Sequence, residues 1–311
     1  AGQISGLREA IGGAGGGRGA IEAPGISVKL SALHPRYEFA QRRRAVPELA
    51  ARLGSLAAQA REAGIGICVD AEEAERLELS LDIVAEVIGD ARLAGWEGFG
   101  VAVQAYLKCA SQVVDWLAAL ARDKGQRLMV RLVKGAYWDS EIKLSQERGL
   151  VSYPVFTRKA STDVSYLACA RKMLAARDAF YCQFATHNAH TLAAVLEMAG
   201  DDREFEFQRI HGMGEALYDQ VVGAGGATDA TDATDATGAG VPCRVYAPVG
   251  SHEDLLPYLV RRLLENGANT SFVNRIVDEE LPVEAIIADP TAKVAALAVK
   301  PHPRIPLPGD L

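Results

Sequence analysis

Short apolar runs rich in β-favouring residues recur along the chain, and each gives way to apolar positions at helical spacing. The runs are Gly25–Ser31, Gly64–Ala71, Gly98–Tyr106, Arg127–Tyr137, Phe180–Asn188, Phe205–Met213 and Cys243–Gly250. Between them, stretches such as Pro47–Ala63 and Ser111–Asp123 predict helices. Near-continuous apolar strands alternating with helices predict a parallel sheet covered by helices. Seven strands in strict alternation predict an α/β fold, a (βα)8 TIM-type barrel rather than an open sheet. An eighth strand is not legible. Residues 1–24 offer only a short helix, Ile4–Ile11, and a glycine tract, Gly12–Gly17, so the barrel is expected to lack its first strand in this chain.

Two segments stand outside this pattern. Gly223–Gly240 repeats Asp-Ala-Thr between glycine clusters and has no side chains with which to build a core. It reads as a flexible loop or an engineered linker. Lys300–Leu311 is proline-rich and reads as a linker leading out of a domain. The barrel is therefore expected over residues 25–299, with a linker before it and a tail after it.

Composition narrows the class. An apolar fraction of 49% over 311 residues suits a globular protein with a large core. A net charge of −7 argues against a nucleic-acid partner. No transmembrane run and no signal peptide is legible. The cysteines, Cys68, Cys109, Cys169, Cys182 and Cys243, are scattered, and reduced thiols in a cytoplasmic protein are expected.

In such a barrel the site lies at the C-terminal ends of the strands. The polar residues there are Lys29, Asp70, Gln104, Arg131 with Lys134, His187 with Asn188, Gln208 with His211, and Tyr246. One alone would read as a strand-end ion pair; seven strands all ending in hydrogen-bonding groups read as a ligand site. The segment SHEDLLPYLVRRLLENG predicts a helix with two adjacent arginines, Arg261 and Arg262. Arginine suits a carboxylate because its planar fork binds both oxygens, although a solvated Arg261–Glu265 pair is the competing reading. No metal-ligand spacing, GxSxG elbow, P-loop or convincing dinucleotide fingerprint is present. A basic, amide-rich strand-end face with aromatic residues remains, which suits a large anionic cofactor.

The strings GISVKLSALHPRYE, DAEEAERLELSLD, VRLVKGAYWDSEIK, YPVFTRKASTDVSYLACA, FATHNAHTLAAV, HGMGEALYDQV, CRVYAPVG and YLVRRLLENGANTSFVNRI are similar to the proline dehydrogenase domain of bacterial proline utilization A. The resemblance runs from about Gly25 to the C-terminus and is broken only by the Asp-Ala-Thr insert. It implies FAD at the strand ends and oxidation of L-proline to pyrroline-5-carboxylate. It also implies a membrane quinone as electron acceptor, an aldehyde dehydrogenase domain in the full-length protein, and peripheral membrane association of that longer protein. The chain reads as an excised catalytic core.

Site residues carry over position by position as implications of the resemblance. Lys29, Arg261 and Arg262 would hold the proline carboxylate. Tyr137, Ile210, Tyr246 and Tyr258 would pack around the ring, Ile210 standing where a leucine is usual in relatives. Asp70 would set the electrostatics beside the flavin, and Arg131 would lie near flavin N5. Gln104 would bond the isoalloxazine, and Val133, Gly135, Ala136 and Trp138 would line the cleft. Thr157, Lys159, Thr162, His187 and Asn188 would meet the ribityl, pyrophosphate and adenosine portions. Gln208, Glu265 and Phe272 complete the cofactor set, Glu265 also orienting the arginine pair. The family's barrel opens with a strand and an acidic helix whose glutamate pairs with the first arginine, and neither is legible here. The competing functional readings are a barrel aldolase with Lys29 or Lys134 as a Schiff-base lysine, and an inactive structural fragment.

Overall fold

The first two strands end where a polar residue begins. In the computed structural model, which describes residues 17–222, 240–249, 253, 255, 256, 258, 260 and 288–311, β1 (Gly25–Val28) stops just before Lys29 and β2 (Gly66–Val69) just before Asp70. β3 (Phe99–Gln104), β4 (Leu128–Val133), β5 (Phe180–Ala185), β6 (Phe205–Ile210) and β7 (Cys243–Tyr246) follow. All seven expected strands form, but each is shorter at its C-terminal end than the apolar run that announced it. The backbone leaves the ladder there to enter the βα loops. The strands pair in chain order from β1 to β7. The registers are parallel: Val28 lies opposite Val69, Val101 opposite Val130, and Ile210 opposite Tyr246. That is the strand order of a (βα)8 barrel, one strand short among the described residues.

The helices are α1 (Arg42–Glu62), α2 (Leu77–Ile88), α3 (Ala110–Lys124), α4 (Trp138–Glu147), α5 (Lys159–Ala175), α6 (Ala189–Ala199), α7 (Glu215–Val222) and α8 (Pro290–Ala295). Helix α3 buries Val113, Val114, Leu117, Ala118 and Ala121 on one face. It ends at Gly125, whose φ of 58° makes the left-handed stop that glycine allows. Helix α1 starts at Arg42, ahead of the expected Pro47, and carries that proline inside it.

The chain divides into two compact units, Ala1–Cys182 with Pro301–Leu311, and Gln183–Lys300. In the first unit Leu30, Leu49, Leu53, Ile67, Leu79 and Ile83 are fully buried between sheet and helices. The proline-rich tail, read from sequence as a linker, lies against this unit. The Tyr153 hydroxyl donates to the Pro306 carbonyl (2.7 Å), Arg158 Nε to the Pro301 carbonyl (3.1 Å), and the His302 N–H to Thr157 Oγ1 (2.9 Å). Prolines bring acceptors without donors; Tyr153 and Arg158 donate to two of those carbonyls, while the tail's own His302 N–H donates to Thr157.

In the second unit strand alternation sorts the side chains of β6. Phe205 and Phe207 meet Phe184 of β5 and Tyr218 of α7, with ring centroids 5.5–6.3 Å apart. Glu206 and Gln208 point to the other side. The expected helix at Ile4–Ile11 and the Asp-Ala-Thr repeat lie outside the described residues. The five cysteines form no disulfide. Burial pushes the Cys169 thiol up to about 11 and the Cys243 thiol up to about 12. Among the described residues no helix is long and apolar enough to cross a membrane.

Phe207→Ala should cost ~3–5 kcal/mol of stability, because the fully buried aromatic cluster cannot collapse onto the cavity. Chemical denaturation of the variant against the wild type checks this.

Candidate functional site

The first unit holds cationic groups at or near its strand ends, among them Lys29 after β1, Arg131 within β4 and Lys134 just after β4. Lys29, directly after β1, donates from Nζ to the Tyr137 hydroxyl at 2.8 Å. Burial pulls the Lys29 pKa down, but the Tyr137 bond and the carboxylates of Asp70 and Glu72 outweigh it, and the net shift is upward. Arg131 of β4 donates from Nη1 to Asp70 Oδ1 at 2.8 Å and from Nη2 to Ser27 Oγ at 2.5 Å. Ser27, Asp70 and Arg131 come from β1, the end of β2 and β4, so one buried guanidinium spans three strand positions. A buried arginine held in this way presents a fixed positive edge.

Backbone amides just beyond the strands are satisfied by side chains of neighbouring loops. Glu72 accepts from the Ser31 N–H at 3.0 Å. The buried amide of Gln104 donates from Nε2 to the Glu72 carbonyl at 2.8 Å and accepts the Ala136 N–H at 3.3 Å. Glu141 of α4 accepts the Ala74 N–H at 2.7 Å. Burial pushes the Glu141 carboxyl above its ordinary range, Glu73 and Glu75 push the same way, and the Ala74 N–H pulls against them. Gln104, expected from sequence as a flavin ligand, thus has both ends of its amide on loop backbone.

The loop between β4 and α4 packs closely. Gly135 has a φ of 134°, and a Cβ there would stand 2.5 Å from the ring of Tyr106, which is itself buried. Among the described residues the Tyr106 hydroxyl has no hydrogen-bond partner. Trp138 donates its indole N–H to the Phe156 carbonyl at 2.8 Å. Lys134 is ion-paired with Asp163. Of the expected phosphate and adenosine contacts in this unit, Thr162 is buried, Thr157 accepts from the tail, and Lys159 is exposed at the start of α5.

The second unit carries its own polar cluster. Glu206 is buried and meets Arg244 through two bonds, Nε to Oε1 at 2.8 Å and Nη2 to Oε2 at 2.9 Å. Gln183 (2.9 Å) and Gln208 (2.7 Å) both donate from Nε2 to Glu206 Oε1. Each gives one amide N–H to Glu206, and the buried Gln208 Oε1 has no partner among the described residues. His187 accepts the Ile210 N–H on Nε2 at 3.0 Å, which puts the proton of the neutral ring on Nδ1. Asn188 caps α6 by accepting the Thr191 N–H at 2.9 Å, leaving its NH2 as the donor it can offer. Tyr246 ends β7, and its carbonyl takes the His211 N–H at 2.8 Å. Glu253, Leu255, Leu256, Tyr258 and Val260 are helical, as the sequence predicts. Arg261, Arg262, Glu265 and Phe272 lie outside the described residues.

Sequence reasoning did not single out Ser27, Tyr106, Glu141, Glu206 or Arg244. Glu206 alone carried a signal, a carboxylate inside the apolar strand FEFQRI. No cluster of metal-ligating side chains occurs among the described residues.

A model of the proline dehydrogenase family matches residues 3–275. The chain belongs to the proline dehydrogenase family. It is 57% identical over 313 residues to the Bifunctional protein PutA of Klebsiella aerogenes, a match over 97% of this chain and 23% of that protein. The chain therefore spans about a quarter of the length of such relatives. A solved mutant of Bradyrhizobium japonicum Proline Utilization A is 55% identical, with a TM-score of 0.91 over 99% of this chain and 30% of that one. The Bdellovibrio bacteriovorus protein, solved after inactivation by N-propargylglycine, is 31% identical, with a TM-score of 0.79 over 90% of this chain and 28% of that one. The fold is thus the family's α/β barrel, with seven strands among the described residues.

Gly135→Ala should lower stability by about 1–3 kcal/mol from its backbone conformation alone, before any clash with Tyr106 is counted. Thermal melting of the variant measures the loss, and an unchanged melting temperature would show that the loop moves away easily.

Proposed function

We propose that this chain oxidises L-proline to pyrroline-5-carboxylate on a bound FAD and passes the electrons to a membrane quinone. The observation that carries this reading is a pair of held cations, Lys29 on Tyr137 just after β1 and Arg131 on Asp70 within β4, in a chain of the proline dehydrogenase family. In this reading the longer protein adds an aldehyde dehydrogenase domain, works in the cytoplasm and touches the membrane from one side.

The residues present fit FAD. Arg131 offers a rigid cation to the electron-rich edge of a ring system. Gly135, without a Cβ, lets the β4–α4 loop fold flat on Tyr106 and leaves Ala136 exposed beside Trp138. Gln208 Oε1 is an acceptor awaiting a donor. When bound, FAD supplies the hydride acceptor. The chain supplies binding and orientation: Lys29, kept charged, holds the substrate carboxylate, and Tyr137 fixes the ammonium that does so. Asp70 neutralises part of the Arg131 charge. The contacts assigned above to Ile210, Tyr246, Tyr258, Arg261, Arg262, Val133, Thr157, Lys159, Thr162, His187, Asn188, Glu265 and Phe272 belong to the same proposal. Positioning of this kind is worth up to ~7–11 kcal/mol of barrier in well-oriented reactions.

The aldolase reading is not favoured. A Schiff-base lysine needs its pKa lowered, whereas that of Lys29 is raised and Lys134 is engaged by Asp163.

Anaerobic titration of the FAD-loaded protein with L-proline should bleach the flavin absorbance; a spectrum that stays oxidised would overturn the proposal and support the inactive-fragment reading. Arg262→Met should raise the proline KM by roughly one to two orders of magnitude, the value of a hydrogen bond to a charged group, as steady-state kinetics would show. The Tyr137 bond raises the Lys29 pKa, so the lysine keeps its charge to higher pH. Tyr137→Phe removes that bond and should move the high-pH loss of affinity for an unreactive carboxylate analogue to lower pH. An unmoved profile would dissociate Lys29 from carboxylate binding.

A further inference from the structure

Glu72 is a buried carboxylate with 6% of its side chain exposed, and it touches neither Lys29 nor Arg131 through a hydrogen bond. Its position is nevertheless unusual. Oε1 accepts the Ser31 N–H from the loop after β1, its carbonyl takes Gln104 from the end of β3, and Oε2 accepts Arg76 Nη1 at 3.2 Å. Arg76 is in turn stacked over the Tyr37 ring, with the guanidinium 5.3 Å from its centroid. Burying a carboxylate is costly unless charge and hydrogen bonds compensate it. Arg76 supplies the charge from four residues along the same segment, which would serve equally well at the surface. The carboxylate is instead inserted under a different loop. The Ser31 amide it takes lies in the short helical turn Leu30–Ala32, whose N-cap is Lys29. Two residues before Glu72 is Asp70, the partner of Arg131.

We infer that Glu72 is a positioning residue for the substrate carboxylate: by holding the Ser31 N–H, it sets the distance between the loop that presents Lys29 and the loop that presents Asp70. This deepens the proline-oxidation reading and rests on it. Lys29 is open to solvent on one side and caps a one-turn segment, so it needs an outside anchor to stay on Tyr137. The Ser31 bond is that anchor. Glu72 also contributes to the field that keeps Lys29 charged.

The test compares Glu72→Ala and Glu72→Gln in the FAD-loaded chain. Glu72→Ala should raise the proline KM about tenfold, the scale of one buried hydrogen bond, with kcat changed less than about threefold and flavin content retained. Glu72→Gln keeps an acceptor for the Ser31 N–H and should restore KM to within about threefold of wild type. A fall in melting temperature with unchanged KM would overturn the inference, as would Glu72→Gln behaving like Glu72→Ala, since charge rather than the backbone anchor would then be at work. Hydrogen exchange of the wild-type Ser31 amide gives a measure that needs no variant and no turnover. Slow exchange supports the anchor and fast exchange overturns it. Wild-type protein that fails to bleach with proline sinks the functional reading itself, and the exchange measurement still decides whether Glu72 anchors the turn.

Discussion

Past the last paired residue of a parallel strand, the backbone loses its ladder partners and must find others. In the first unit those partners come from the next loops around. Ser31 bonds to Glu72, Glu72 to Gln104, Gln104 to Ala136, and Ala74 to Glu141. The loops after four successive strands are thereby tied into one chain of hydrogen bonds. Lys29, Asp70, Gln104 and Tyr137 each sit on that chain or within two residues of it. The chemistry proposed for these residues depends on their mutual spacing, and the spacing is set by groups that never meet the substrate.

The elements that sequence reasoning recovered are those with local causes. Strand cores such as FGVAVQ and LMVRLV are near-continuous apolar runs, and helix α3 carries its own period and glycine stop. The strand-end residues Lys29, Asp70, Gln104 and Arg131 were legible because a polar group after an apolar run is conspicuous. Their partners were not. Ser27 on Arg131, Glu141 on Ala74 and Tyr106 beneath Gly135 join residues 29 to 104 positions apart, and no spacing rule reaches that far. Gln104 shows the difference well: its type and place pointed to a ligand, while the fold spends both ends of its amide on neighbouring loops. The tail misled for the opposite reason. Its prolines carry acceptors without donors, and the groups that meet two of those carbonyls, Tyr153 and Arg158, lie far away in the sequence.

The second unit solves a related problem with charge. Glu206 faces inward from a strand whose alternate residues are phenylalanines, and such a carboxylate needs a full set of donors. Arg244 and two glutamine amides provide it. Because both glutamines give their NH2 groups to the same oxygen, their orientation is fixed by the ion pair. The acceptor face of Gln208 follows from that orientation and from nothing local to β6.

The contact between Gly135 and Tyr106 bears on how this loop can vary over evolutionary time. The position is closed twice, by a backbone angle that side chains rarely adopt and by an aromatic ring pressed against it. Shrinking Tyr106 lifts the second obstacle and leaves the first, so no single neutral change opens a path away from glycine. Drift in this segment is channelled to the residues on either side, while the turn between them stays the same.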